Sequence, residues 1–195
     1  MKNFSDIKLN ENIAKSLDEL GFISPTPIQS KTIPLLLDTK QDLIGAAQTG
    51  TGKTAAFGIP SIHLTDISDK SVQTLILCPT RELCIQITKD LKKYSKYVKG
   101  IQIVPVYGGA SMETQIRALK KGSQIVVGTP GRTKDMIKRK KLSLVSIDRV
   151  VLDEADEMLS MGFKEDLDFI LSKATAGVQK LLFSATMPKK VTSII

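Results

Sequence analysis

Lys53 and Thr54 follow the flexible run Ala47-Gln48-Thr49-Gly50-Thr51-Gly52, and far along the chain Asp153 and Glu154 close the apolar run Val150-Val151-Leu152. A glycine-rich bend lets backbone N–H groups turn inward on phosphate oxygens, and a helix opening behind it adds partial positive charge. In that setting Lys53 reaches the β and γ phosphates of a nucleoside triphosphate, and the Thr54 hydroxyl ligates Mg2+. Asp153 holds the same metal, directly or through water, and Glu154 orients or deprotonates a water attacking the γ phosphate. The usual spacing of such a bend wants glycine where Ala47 stands, and alanine is small enough for the same turn. The alternatives are a Gly/Thr-rich surface turn with a chance lysine, and carboxylates that merely cap a helix.

Arg81 and Arg132 stand beside Pro and Thr, in Pro79-Thr80-Arg81 and Thr129-Pro130-Gly131-Arg132, where helices are expected to begin. Together with the Gly108-Gly109 doublet they supply what phosphodiester oxygens need: helix N-termini, small hydroxyls, arginine and close backbone approach. Asp156, Ser184 and Thr186 set a carboxylate near a pair of hydroxyls, which suggests a hydrogen-bonded link between the nucleotide site and a moving part. Gln29, in a helix's first turn, carries an amide whose donor and acceptor match an adenine edge; a solvated glutamine is the alternative. Lys138-Arg139-Lys140-Lys141 is the densest basic run, either a solvated helix end or a peripheral polyanion contact. His63 reads as a solvated surface residue, Met158 and Met161 as packing residues, and Cys78 and Cys84 as reduced thiols lacking any metal-ligand spacing.

These residues need elements that bring them to one place. The segment 42–46 reads as a buried strand entering the bend, with a helix opening at Gly52-Lys53-Thr54. Asn10 or Asn12 caps a first helix bearing Ile13, Leu17 and Leu20, which Gly21 ends. Thr26 caps a second that starts at Pro27 and bears Ile28, Ile33, Leu35 and Leu36. Further strands are predicted over 74–78, 101–106, 124–128, 149–153 and 180–184. Between them come a helix with Leu83, Ile87, Leu91 and Tyr94 on its core stripe, and others over 112–119, to about 140, and over 163–171. Alternating strands and helices predict an α/β fold with a mostly parallel central sheet. Ligands of such sheets gather beyond the carboxyl ends of the strands, where the glycine bend, the acids, the hydroxyl pair and the Pro/Thr/Arg turns all fall.

The 195 residues suit one large domain, 1–195, and 42% hydrophobic with 25% charged residues is ordinary for a globular protein. No apolar run is long enough for a membrane span, and the N-terminus lacks the apolar block of a secretion signal, so a cytoplasmic protein is expected. The net charge of +8 suggests a polyanion partner. With 5% aromatics and no tryptophan, stacking platforms are disfavoured and backbone contacts should dominate.

Together these residues resemble the N-terminal RecA-like domain of DEAD-box RNA helicases, over essentially the whole chain. Gly21-Phe22 through Gln29 resembles the Q motif, with Phe4 as its upstream aromatic, and Ala47 to Thr54 resembles motif I, including its alanine. Pro79 to Leu83 resembles motif Ia, although Cys84 stands where alanine is usual. Gly108-Gly109 and Thr129 to Arg132 match the glycine doublet and motif Ib, Asp153-Glu154-Ala155-Asp156 motif II, and Ser184-Ala185-Thr186 motif III.

The resemblance implies a RecA-like P-loop NTPase sandwich of three layers, with the Q-motif region over 2–30 and motifs I to III over 46–186. It implies that Gln29 reads adenine with Phe22 packed on the base, and that Phe4, Thr26 and residues 47–54 belong to an ATP site with Mg2+. It implies that Pro79, Thr80, Arg81, Gly108, Gly109, Thr129, Pro130, Gly131 and Arg132 hold one RNA strand by its sugar-phosphate backbone, with little base specificity. Asp156, Ser184 and Thr186 would couple the ATP state to the grip on RNA. The resemblance implies a second RecA-like domain, with its arginine fingers, outside these 195 residues. The expectation is a half-site that binds nucleotide, hydrolyses it very poorly and does not unwind. A small-molecule NTPase or kinase, a non-catalytic RNA-binding module and a DNA helicase are the competing readings.

Overall fold

The computed structural model describes residues 3–192 and 194. Lys2, where the Q-motif region is expected to begin, and Ile195 lie outside the described residues. A 3-10 turn over Phe4–Asp6 leads into α1 (Glu11–Glu19), α2 (Pro27–Asp38), β1 (Leu43–Ala46), α3 (Lys53–His63), β2 (Thr74–Leu77) and α4 (Arg81–Tyr94). Then follow β3 (Ile103–Val106), α5 (Met112–Lys120), β4 (Ile125–Gly128), α6 (Pro130–Lys138), β5 (Arg149–Asp153), α7 (Ala155–Ser160), α8 (Lys164–Leu171), β6 (Gln179–Ser184) and α9 (Lys189–Thr192). The strands form one sheet in the order β1-β6-β5-β2-β4-β3, and every pairing is parallel.

Parallel strands need crossover helices, and those helices cover both faces of the sheet. Strand alternation divides the core accordingly. Ile76, Val127, Val151 and Phe183 face a cluster with Ile13, Leu36, Phe57 and Ile87 from α1 to α4. Leu75, Val126, Leu152 and Leu182 face a second cluster with Met136, Met158, Leu167 and Ile170 from α6 to α8. The molecule thus has three layers, and because all strands run the same way, their carboxyl ends share one edge.

Several local expectations differ from the structure. β1 is a border strand, not a buried one: one of its sides is unpaired, and Ile44 is 49% exposed. Leu20 and Leu35 face outward rather than into the core, and Met161, just past α7, is exposed. α6 stops at Lys138 because Lys140 turns to a φ of 56°. The six-residue helix α7, opening on the acid tetrad, was not anticipated. At the other border, the backbone of Pro105 faces away from β4, since the carbonyls of Gln102 and Val106 on either side of it are the ones that accept bonds from the neighbouring chain.

Candidate nucleotide and nucleic-acid sites

β1 delivers the chain into the glycine bend, and the Ala47 N–H continues the ladder by donating to the Ser184 carbonyl at 3.0 Å. Gly50 and Gly52 take φ values of 82° and 90°, a region that favours glycine, and Gly52 caps α3, whose first residue is Lys53. A side chain at Gly52 would also meet Gln29 Nε2 at 2.3 Å. Gln29 is therefore not solvated. It is 4% exposed, accepts from the Thr26 N–H at 2.9 Å and donates to the Gly52 carbonyl at 3.1 Å.

Lys53 and Asp153 come together: Lys53 Nζ lies 3.5 Å from Asp153 Oδ1, with both side chains buried. Nζ makes no hydrogen bond, and Thr26 Oγ1 is likewise buried without a partner. Burial pushes the Asp153 carboxyl up to about 6; the Lys53 charge opposes this and the Glu154 charge adds to it. Glu154 takes a left-handed conformation (φ 54°, ψ 50°) as it caps α7, and its Oε1 accepts from Thr49 Oγ1 at 3.1 Å. Phe22, Gln29, Lys53, Thr54, Asp153 and Glu154 line a cleft of about 260 Å³. Phe4 and Phe22 meet edge-on, with ring centroids 5.3 Å apart.

Asp156 lies one turn beyond. Its N–H donates to Ser184 Oγ at 3.2 Å, and its carboxylate accepts from the Thr186 N–H at 3.0 Å and Thr186 Oγ1 at 2.7 Å. Burial would raise this carboxyl, but the Ser184 and Thr186 hydrogen bonds outweigh it and hold it below its usual value. The three expected coupling residues therefore form one connected unit.

The expected backbone-binding turns are also tied together. Thr80 caps α4, accepting from the Leu83 N–H at 3.2 Å, and Thr129 and the buried Pro130 begin α6. Arg81 donates to the Gly109 carbonyl at 3.4 Å and lies 5.2 Å from the centre of the Tyr107 ring. Arg132 donates to the Ala110 carbonyl at 3.2 Å. Gly108, Gly109 and Gly131 are exposed, and Pro79 is buried beneath them. Two helix N-termini, two arginines and an open glycine turn thus share the strand-end edge, an arrangement suited to a line of phosphates.

A family model described as "DEAD/DEAH box helicase" matches residues 26–194. The chain belongs to the DEAD/DEAH box helicase family. It is 55% identical to the ATP-dependent RNA helicase CshA of Listeria monocytogenes and 52% identical to the DEAD-box ATP-dependent RNA helicase CshA of Geobacillus kaustophilus. Each alignment covers the whole of this chain but 37% and 41% of those relatives, so the chain spans well under half of their length. The crystal structure of a DEAD box protein from the hyperthermophile Methanococcus jannaschii superposes with a TM-score of 0.95 at 42% identity, over all of this chain and 53% of that one. The three-layer parallel architecture is accordingly the RecA-like helicase fold.

Within this helicase domain, some residues near the cleft carry no signal in the sequence. Tyr94, read as core, packs edge-on against Phe22 at 5.6 Å and lines the cleft, as do Leu83 and Asp90 from the same helix. His63 is not a solvated residue: it is half-buried, and its Nδ1 accepts from the Asn10 N–H at 3.1 Å, tying α3 to the start of α1. Cys78 and Cys84 are free and buried, with Cys84 Sγ donating to the Val127 carbonyl at 3.1 Å. No described helix is long and apolar enough to cross a membrane.

Proposed function

We propose that this domain is the ATP- and RNA-holding half of an ATP-dependent RNA helicase that works in the cytoplasm. The observation carrying the nucleotide assignment is Lys53. Its side chain is 5% exposed, and its ammonium lies behind two left-handed glycines at a helix N-terminus, with one carboxylate beside it but no hydrogen-bond acceptor. A buried cation so placed calls for an anionic ligand.

In this reading Lys53 and the N–H groups of residues 47–54 hold the phosphates, and Phe22 and Gln29 hold the adenine. Thr54 and Asp153 would hold Mg2+, which when bound offsets the charge developing on the phosphates. Glu154, held by the Thr49 hydroxyl at one carboxylate oxygen, orients the attacking water and takes its proton. Thr80, Arg81, Gly109, Thr129, Gly131 and Arg132 grip the RNA backbone, with Pro79, Gly108 and Pro130 shaping the turns. Asp156, Ser184 and Thr186 pass the state of the nucleotide to that grip. Two relatives named as ATP-dependent RNA helicases support RNA as the substrate.

A second RecA-like domain of the longer protein would complete both sites. Without its arginines the domain alone should fall on the order of 10³–10⁵ below the full protein in turnover. The test pairs equilibrium titration of a fluorescent ATP analogue into this chain, with and without Lys53→Ala, with RNA-stimulated ATPase measured on this chain and on the full-length protein. Loss of binding in the variant and turnover only in the longer protein are expected. Adenine nucleotides that fail to bind with Mg2+ present, or strong RNA stimulation of this chain alone, would overturn the assignment.

A further inference from the structure

A second cavity, of about 510 Å³, opens at the opposite end of the sheet from the nucleotide cleft. Thr74, Arg149 and Gln179 line it, and these are the first residues of β2, β5 and β6, paired in register across the sheet. Arg149 is thus the middle member, and it is only 6% exposed. Its Nε donates to Gln179 Oε1 at 2.8 Å. Gln179 spends its own donors on the Thr39 carbonyl at 3.3 Å and the Gln41 carbonyl at 2.8 Å. Gln73, also on the wall, is committed to the backbone of Asp66 and Asp69.

What remains is the far end of the guanidinium. Among the described residues no acceptor bonds the terminal nitrogens of Arg149, and no carboxylate comes within ion-pair distance of it. Asp148, its chain neighbour, acts on it only through its field. Those nitrogens are not sealed from solvent, so the cavity is where they can take an acceptor, and an anion entering it meets a fork for which no described side chain competes.

We propose that this cavity binds a monocarboxylate with an apolar body, its carboxylate seated on the terminal nitrogens of Arg149. The planar fork matches a carboxylate's two oxygens. Leu36, Ile147 and Val178 give the cavity apolar walls, and its size is that of a small-molecule site. Asp38 and Asp148 also line it against Lys40, the one other cation there, which penalises a doubly charged phosphate more than a singly charged acid. The proposal stands apart from the ATP and RNA sites, since it uses neither edge nor residues of theirs.

The test titrates 4-methylvalerate, its neutral amide and inorganic phosphate into the isotopically labelled chain, following the backbone amide signals of Arg149 and Gln179 by NMR. Saturable shifts with a Kd in the millimolar range or below are expected for the acid. The amide and phosphate should bind about tenfold or more weakly, and Arg149→Gln should lose the preference for the acid. Should that variant not fold, Val145→Glu at the 76% exposed rim sets a like charge at the mouth and should weaken the acid several-fold while sparing the amide. Shifts that stay linear to the highest concentration, equal binding of acid and amide, tighter binding of phosphate, or affinity unchanged in the variants that fold would each overturn the proposal.

Discussion

Replacing Gly52 by alanine should destabilise the domain by more than its backbone angle alone requires. At a φ of 90° an alanine costs about 1–2 kcal/mol in backbone strain. Gly50, at 82°, carries the same penalty, but a side chain there would meet nothing within 4 Å. At Gly52 the added carbon would lie 2.3 Å from Gln29 Nε2 and 3.1 Å from Thr26 Oγ1. The glutamine must swing away, and being buried it loses its bonds to the Gly52 carbonyl and the Thr26 N–H without regaining water. Two such bonds are worth about 1–3 kcal/mol together. Gly52→Ala should therefore cost about 2–5 kcal/mol, against about 1–2 for Gly50→Ala. Urea denaturation of both variants measures the difference, and repeating it in a Gln29→Ala background isolates the cause. With the amide gone the excess should vanish, giving a coupling of about 1–3 kcal/mol. Equal costs for the two glycines, or an excess that survives Gln29→Ala, would show that the Gln29 contact is not what holds the bend.

In the full-length protein Glu154→Gln should lower RNA-stimulated turnover by about 10²–10⁴-fold while nucleotide affinity stays close to the parent value; a matching loss of affinity would move Glu154 from chemistry to binding. Asp153 predicts a pH dependence of stability. Its carboxyl is raised from 3.8 to about 6 by burial, so neither folded nor unfolded chain carries the charge at the lowest pH. As pH rises the unfolded chain ionises first, and the folded domain loses stability up to and through about pH 6, by as much as about 3 kcal/mol. Denaturation midpoints of the magnesium- and nucleotide-free chain at several pH values should show this slope, and Asp153→Asn should flatten it; parallel slopes would contradict it. Asp156→Ala removes the acceptor for both Thr186 donors and should cost about 1–3 kcal/mol, while in the full-length protein unwinding falls more than ATPase. Equal loss of the two activities would argue against a coupling role.

The chemistry was more legible than the surroundings that tune it. Strand β5 is legible at its observed bounds because three apolar residues in a row, ended by acids, suit a strand buried on both faces. Lys53 and Asp153 can be paired from the sequence because one follows a strand and the other ends one, and parallel strands bring their ends to one edge. Gln29 was harder. Its partner is a carbonyl 23 residues away, and an amide in a helix's first turn looks the same whether solvated or locked. His63 shows the same limit, since its acceptor role depends on Asn10, 53 residues earlier. Helix α7 has six residues, too few for a helical period to emerge, and Glu154 precedes it in a conformation that side-chain-bearing residues seldom take. Ile44 misled because hydrophobicity does not say which strand ends a sheet.

Pro105 has a consequence for how copies of this domain meet. An open strand border is a row of vacant donors and acceptors on which a foreign strand can grow. On β3 the outward-facing positions are Ile103 and Pro105, the second of which has no N–H to offer, and the strand is four residues long. A growing fibril would find a gap in the template where it most needs continuity. Exchanging Pro105 for valine would restore the donor and leave the domain more prone to clump at high concentration, with its fold unchanged.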